Sequence, residues 1–208
     1  MFKPIATQKI NDNFYAVRTL FVNAYIYDTD SGLIVFDTGI NPPLLMSGFN
    51  KLNLDYTKVT HVFLTHSDPD HAGGRKLFKN AKIFISAAEE PLITWKKARR
   101  FIIYNRKIKN CNFLADNEEV VINDTTVKTI FTPGHTIGSA IYIINDKILI
   151  GGDTISLNFK NEIGHFGIIQ NMNHKMNIDT VNKLIDSETF QNKSIIVTGH
   201  HGIMNNLY

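Results

Sequence analysis

The sequence predicts a single α+β domain of layered sheets. Short apolar strands recur along the whole chain, helical stretches are few, and four of the strands end in polar loops that carry His or Asp. A chain of 208 residues can bury a core without staples. Residues 1–208 read as one domain, because no internal repeat, low-complexity stretch or linker interrupts them. The formal charge of +3 is a small surplus with no basic tail, so no nucleic-acid partner is expected. Cys111 is the single cysteine, which excludes an internal disulfide framework and a cysteine-rich zinc site. The first residues, Met1 to Ala6, lack an apolar core of signal-peptide length, and Asn11-Asp12-Asn13 follows soon after. No later run has membrane-spanning length, so a cytoplasmic protein with no membrane contact is expected.

Phe14 to Arg18 and Asn23 to Tyr27 are rich in aromatic and branched residues and predict two strands. A turn at Asp28 to Gly32 leads to a buried strand, Leu33 to Phe36, which stops at Asp37-Thr38-Gly39. Pro42-Pro43 opens a short helix, and Val59 to Leu64 is the next apolar strand. Arg75 to Phe78 continues a helix, and Lys82 to Ile85 is another strand. Ser86-Ala87-Ala88-Glu89 has the form of a capping box. Leu92, Trp95, Ala98 and Ile102 then recur at helical spacing. The opposite side would carry Lys96, Lys97, Arg99, Arg100, Arg106, Lys107 and Lys109, read as a solvated basic face. Two hairpins follow, Glu119 to Ile122 with Thr125 to Phe131, and Ile141 to Ile144 with Lys147 to Ile150. Asn177 is a candidate cap for a helix carrying Ile178, Val181, Leu184 and Ile185. Ser194 to Val197 is expected to be the last strand.

The segment Thr65 to Gly74 places His66, Asp68, Asp70 and His71 directly after a buried strand. Burying so many ionisable groups without partners is costly, and a metal ion is the usual partner. His66 and Asp68 are two apart, so an extended backbone points both to one side. Pro69 disfavours a helical conformation at Asp68. The pattern then repeats, with Thr132-Pro133-Gly134-His135-Thr136 after Phe131, Gly151-Gly152-Asp153-Thr154 after Ile150, and Thr198-Gly199-His200-His201-Gly202 after Val197. Loops at one edge of a layered sheet gather where the strands end, and these supply nitrogen and oxygen ligands enough for two metal ions.

Taken together, Thr65 to His71, Thr132 to Ser139, Gly152-Asp153 and Gly199-His200 resemble the metallo-β-lactamase-fold superfamily over nearly the full chain. Asp37-Thr38-Gly39 is similar to that family's early turn. The resemblance implies a four-layer αβ/βα sandwich with the metal site at one sheet edge. It implies His66 and His135 as ligands of a first metal, Asp70, His71 and His200 as ligands of a second, and Asp153 bridging both. His201 is the alternative to His200. Asp68 stands where the family has its second His, and an Asp oxygen lies as far beyond Cβ as the usual ligand nitrogen, so Asp68 is expected to coordinate. Its charge favours iron or manganese more than an all-histidine site would, with zinc the expected metal. His61 is read as a strand residue, and His165 and His174 as surface positions, with lining a pocket as the alternative.

The implied function is a binuclear metallohydrolase in which a metal-bound hydroxide attacks a small ester, lactone or thioester. Asp70 would be the catalytic residue that orients the nucleophile, with Thr65, Thr136 and Asp37 behind the ligands. A β-lactamase with a zinc-binding Cys is excluded, since Cys111 lies in another segment. Two alternatives stand beside it. Asp68-Pro69-Asp70-His71 is similar to the flavodiiron proteins, which reduce oxygen or nitric oxide at a di-iron site, although no flavin domain follows here. The other is a non-catalytic metal-binding sensor module. The absence of a long C-terminal helical extension weakens a glutathione thioester as substrate. Substrate choice is expected to lie with the loops at 95–110 and 156–176.

Overall fold

The computed structural model describes residues 2–158 and 162–205. Its first sheet has seven strands in sequence order: β1 (Gln8–Lys9), β2 (Phe14–Thr19), β3 (Val22–Thr29), β4 (Gly32–Phe36), β5 (Val59–Leu64), β6 (Lys82–Ser86) and β7 (Cys111–Leu114). The pairs from β1 to β4 are antiparallel, and those from β4 to β7 are parallel. The second sheet contains β8 (Glu119–Ile122), β9 (Thr125–Phe131), β10 (Ala140–Ile144), β11 (Ile148–Ile150), β14 (Ile195–Val197) and β15 (Ile203–Asn205). A small hairpin of β12 (Ile155–Leu157) and β13 (Ile163–His165) lies between β11 and β14 in the chain. The helices are α1 (Pro42–Lys51), α2 (Pro69–Ala72), α3 (Glu90–Ile93), α4 (His174–Ile185) and α5 (Glu188–Gln191).

Alternation along each strand builds the layers. On β4 and β5, Ile34, Phe36 and Phe63 face the second sheet, while Leu33, Val35, Val62 and Leu64 face Leu45 and Phe49 of α1. On β10, Tyr142 and Ile144 face the first sheet, while Ile141 and Ile143 pack with Val181, Leu184 and Phe190 of α4 and α5. This period-two sorting gives helix, sheet, sheet, helix. Two buried tyrosines join the sheets where the strands end. Tyr142 Oη donates to the Leu64 carbonyl at 2.8 Å, and Tyr25 Oη donates to the Thr198 carbonyl at 2.7 Å. Each thus holds the root of a ligand-bearing loop on the other sheet.

Several elements differ from expectation. The amphipathic helix through Leu92 and Ile102 does not form. α3 ends at Ile93, Trp95 turns to φ 67°, and an Arg100–Ile103 bridge folds the chain into a tight hairpin. Trp95 Nε1 donates to the Asn105 carbonyl, so the indole secures the hairpin stem instead of a helix face. The cap of α4 is Asn173, whose side chain accepts from the Met176 N–H, whereas Asn177 is buried within the helix and donates to the Thr154 carbonyl. The β14 strand is not the last, because β15 pairs against it. The capping box is half formed: Ser86 accepts from the Ala88 N–H, but Glu89 turns inward.

Phe63 is the packing centre between the sheets, with Phe84, Tyr142 and Phe36 ring centroids at 4.9, 5.3 and 5.4 Å. Phe63→Ala is expected to cost about 3–5 kcal/mol, read from the denaturant midpoint of unfolding.

Candidate metal centre

Five loops meet at one end of the sandwich. Asp37 follows β4, and His66, Asp68, Asp70 and His71 follow β5. From the second sheet, His135 follows β9, Asp153 follows β11 and His200 follows β14. Pro69 opens α2 and leaves Asp68 extended at φ −62°, ψ 146°, as its sequence position predicts. At Gly199 a Cβ would lie 2.5 Å from Asp153 Oδ1 and 2.6 Å from the His71 ring, so only glycine permits this approach.

The seven predicted residues come together in three overlapping groups: His66, Asp68 and His135; Asp70, His71 and His200; and His66, His71 and Asp153. Within each group the ligand atoms lie within 4.8 Å of one another. Asp153 faces two sides of the cluster, with Oδ1 3.2 Å from His71 Nε2 and Oδ2 at 3.2 and 3.6 Å from the Nε2 atoms of His200 and His135. His201 belongs to none of these groups; its ring packs edge-on against Phe166. His61 lies on β5, His165 is exposed on β13 and His174 starts α4, all outside the groups.

The four clustered histidines share one orientation. His71 Nδ1 meets Asp37 Oδ2 at 2.8 Å, His66 Nδ1 meets Thr65 Oγ1 at 3.0 Å, His200 Nδ1 meets the Phe21 carbonyl at 2.7 Å, and His135 Nδ1 meets Asn171 Oδ1 at 3.2 Å. Each outer partner can accept an Nδ1 proton, which leaves Nε2 to face the cluster as a lone pair. Thr65 and Asp37 therefore act as expected. Thr136 acts at one remove, donating to Glu89, which also accepts from Ser67 and the Gly138 N–H.

Charges inside the cluster adjust to one another. Burial opposes a charge on His71, but Asp153 and Asp37 outweigh it and hold the imidazole well above its usual pKa. Burial likewise disfavours charge on His200, yet Asp153 and Asp70 raise it to about 9. Burial raises Asp153, and His71 and His200 more than reverse this, holding the carboxyl well below the usual range. Among the described residues of the cluster, the buried atoms His66 Nε2 and Asp153 Oδ1 make no hydrogen bond. An inward-facing set of imidazole nitrogens and carboxylate oxygens with such orphans fits divalent metal ions.

Residues 17–200 match the family described as the metallo-beta-lactamase superfamily. The chain belongs to this superfamily, one of metallohydrolases. Hydroxyacylglutathione hydrolase of Dictyostelium discoideum is 27% identical over 80% of the chain and 56% of that protein. Lactamase-like protein nscB of Arthroderma gypseum is 26% identical over 72% of the chain and 42% of that protein. The chain thus spans about half the length of these curated relatives. Among solved structures, the FEZ-1 metallo-beta-lactamase of Legionella gormanii superposes with a TM-score of 0.74 at 21% identity, over 96% of this chain and 81% of that one. Such similarity establishes the αβ/βα sandwich.

Within this metallo-β-lactamase frame, Arg99 is the residue that the sequence did not reveal. Its spacing predicts a solvated face, but its guanidinium is turned inward onto Asp68, with Nε 2.8 Å from Oδ1 and Nη2 2.9 Å from Oδ2. Nη2 also donates to the Gln170 carbonyl at 2.8 Å and lies 3.2 Å from His135 Nε2. Asn105 Nδ2 donates to Asp68 Oδ1 and to Ser67 Oγ. The extra charge that Asp68 brings is therefore balanced by a neighbouring cation, which offsets its preference for a harder metal. Glu89 and Asn171 were also missed. Their only sequence signal was a polar residue beside a helix start, which reads equally as a cap.

Asp37→Asn removes a carboxylate that orients His71 and Thr65, and a ten- to hundredfold weaker metal affinity is expected, at about the usual scale for outer partners. Competition against a chromophoric chelator measures it, with circular dichroism reporting the fold.

Proposed function

We propose that this chain is a metal-dependent hydrolase of a small ester, lactone or thioester. His66, Asp68 and His135 would hold one divalent ion, Asp70, His71 and His200 a second, and Asp153 would serve both, with zinc the expected metal and iron or manganese the alternatives. The observation that carries the reading is the convergence of four Nε2 atoms and three carboxylates at a cleft of about 350 Å³. When bound, the metals would supply Lewis acidity for the acyl carbonyl and lower the pKa of a water.

The chain's own residues supply the remainder. Asp70 lies at the cleft wall, partly exposed, with Oδ2 3.3 Å from His200 Nε2. Its carboxyl is held below the usual range, because His200 and His71 outweigh the effect of burial. It therefore stays an acceptor at neutral pH and can orient an attacking water and take its proton. Phe2, Tyr104 and Phe166 give the cleft apolar walls for an acyl group. The names of the hydroxyacylglutathione hydrolases of Dictyostelium discoideum and Rhizobium etli support including thioesters.

The test is a panel of an aryl ester, a lactone and a hydroxyacylglutathione thioester, assayed with protein stripped by chelator and reloaded with zinc, manganese or ferrous iron. Hydrolysis of at least one substrate is expected, lost on stripping and restored on reloading. Asp70→Asn at saturating metal is expected to lower kcat by about a hundredfold or more. No hydrolysis by any loaded form, or hydrolysis indifferent to stripping, would contradict the reading.

A further inference from the structure

The stretch from Pro91 to Ala115 carries seven Lys or Arg and no Asp or Glu. Arg99 is turned inward onto Asp68, and Lys96 pairs with Glu90 at 2.7 Å. Lys97, Arg100, Arg106, Lys107 and Lys109 remain on the surface. Between them, the hairpin closed by the Arg100–Ile103 bridge puts Phe101, Ile102 and Ile103 at its tip, 62–89% exposed. A second loop extends this apolar rim with Ile168 and Ile169, 67% and 70% exposed. Arg100 Nη1 donates to the Ile169 carbonyl and Arg99 Nη2 to the Gln170 carbonyl, which tie the two loops together.

The protrusion has a fixed stem. Trp95 Nε1 bonds the Asn105 carbonyl, the Lys97 N–H bonds the Pro91 carbonyl, and Ile108 is buried against the first sheet's helical layer. A preformed pair of loops that holds five large apolar side chains in water, with cations on the same stretch of chain, is costly unless the tip is covered in use. We propose that this hairpin docks the protein onto an anionic lipid surface, inserting Phe101 and Ile102 among the acyl chains while the flanking cations meet the headgroups. No described helix is long and apolar enough to cross a membrane, so the contact is interfacial.

The chemistry favours this occupant over two others. A symmetric dimer through the same patch would set its cations against their own copies. For RNA, Phe101 offers a stacking plane, but Ile102, Ile103, Ile168 and Ile169 around it offer neither stacking planes nor hydrogen-bond donors. Docking would leave the cleft at the lipid interface, since Ile103 and Ile169 of the rim also line the cleft. The proposal does not rest on the hydrolase reading, because it is tested by binding alone.

The experiment is co-sedimentation of the whole protein with vesicles of phosphatidylcholine, alone or mixed equally with phosphatidylglycerol. Binding is expected to the mixed vesicles and to weaken in high salt. The double variant Phe101→Ser, Ile102→Ser should bind at least ~10-fold more weakly. Lys97→Gln and Arg106→Gln should each weaken binding about fivefold. Near-ultraviolet circular dichroism confirms that each variant is folded. Absence of wild-type binding, equal binding to neutral vesicles, or wild-type affinity in the double variant would overturn the proposal. So would a dimer or an RNA complex that the double variant abolishes while vesicle binding persists.

Discussion

Asp37 is 1% exposed, and both of its carboxylate oxygens need partners. Oδ1 accepts from the Thr65 N–H, and Oδ2 accepts from Thr65 Oγ1 and from His71 Nδ1. One buried charge thus fixes the loop after β4 to both ends of the segment after β5. The arrangement requires Asp37 itself to sit at φ 54°, in the left-handed region that Asp tolerates better than most residues. The next residue continues the connection, with the Thr38 N–H and hydroxyl both donating to the His71 carbonyl. With Tyr142 and Tyr25 holding the roots of the loops at 65 and 199, the backbone around the cluster is set before any ion is considered.

A second constraint is charge balance. Asp68, Asp70 and Asp153 meet four imidazoles in a poorly solvated space. The protein answers unevenly. On the Asp68 side the balancing cation is built into the chain as Arg99. On the Asp153 side the carboxylates raise His71 and His200, so protons compete there for the nitrogens that would bind metal. The two halves of the site therefore have different electrostatics despite similar ligand types.

The fold and the clustered residues were legible because each rested on local patterns. Alternating apolar runs marked the long strands, and a polar motif at a strand end marked each loop of the site. What was illegible depended on distant partners. The spacing of Leu92, Trp95, Ala98 and Ile102 fits a helix, but the bond from Trp95 to the Asn105 carbonyl and the pull of Asp68 on Arg99 select a hairpin. Asn177 has the composition of a cap, yet it is used to bond Thr154 across to the other side of the site loop, and Asn173 caps instead. β15 is only three residues long and draws its pairing from β14, leaving little local signal. Gly199 directly before it favours His200 over His201 in the sequence, and the packing of the loop brings His200 and not His201 to the cluster.

Whether the clustered Nε2 atoms and carboxylates hold divalent metal is read from the number of metal ions per chain in protein purified without chelator, by elemental analysis beside native mass spectrometry. Two divalent ions per folded chain are expected in the wild type, with loss of metal in His71→Ala and His135→Ala. A folded wild-type chain that binds no metal, even when supplied with zinc, manganese or ferrous iron, would contradict this expectation.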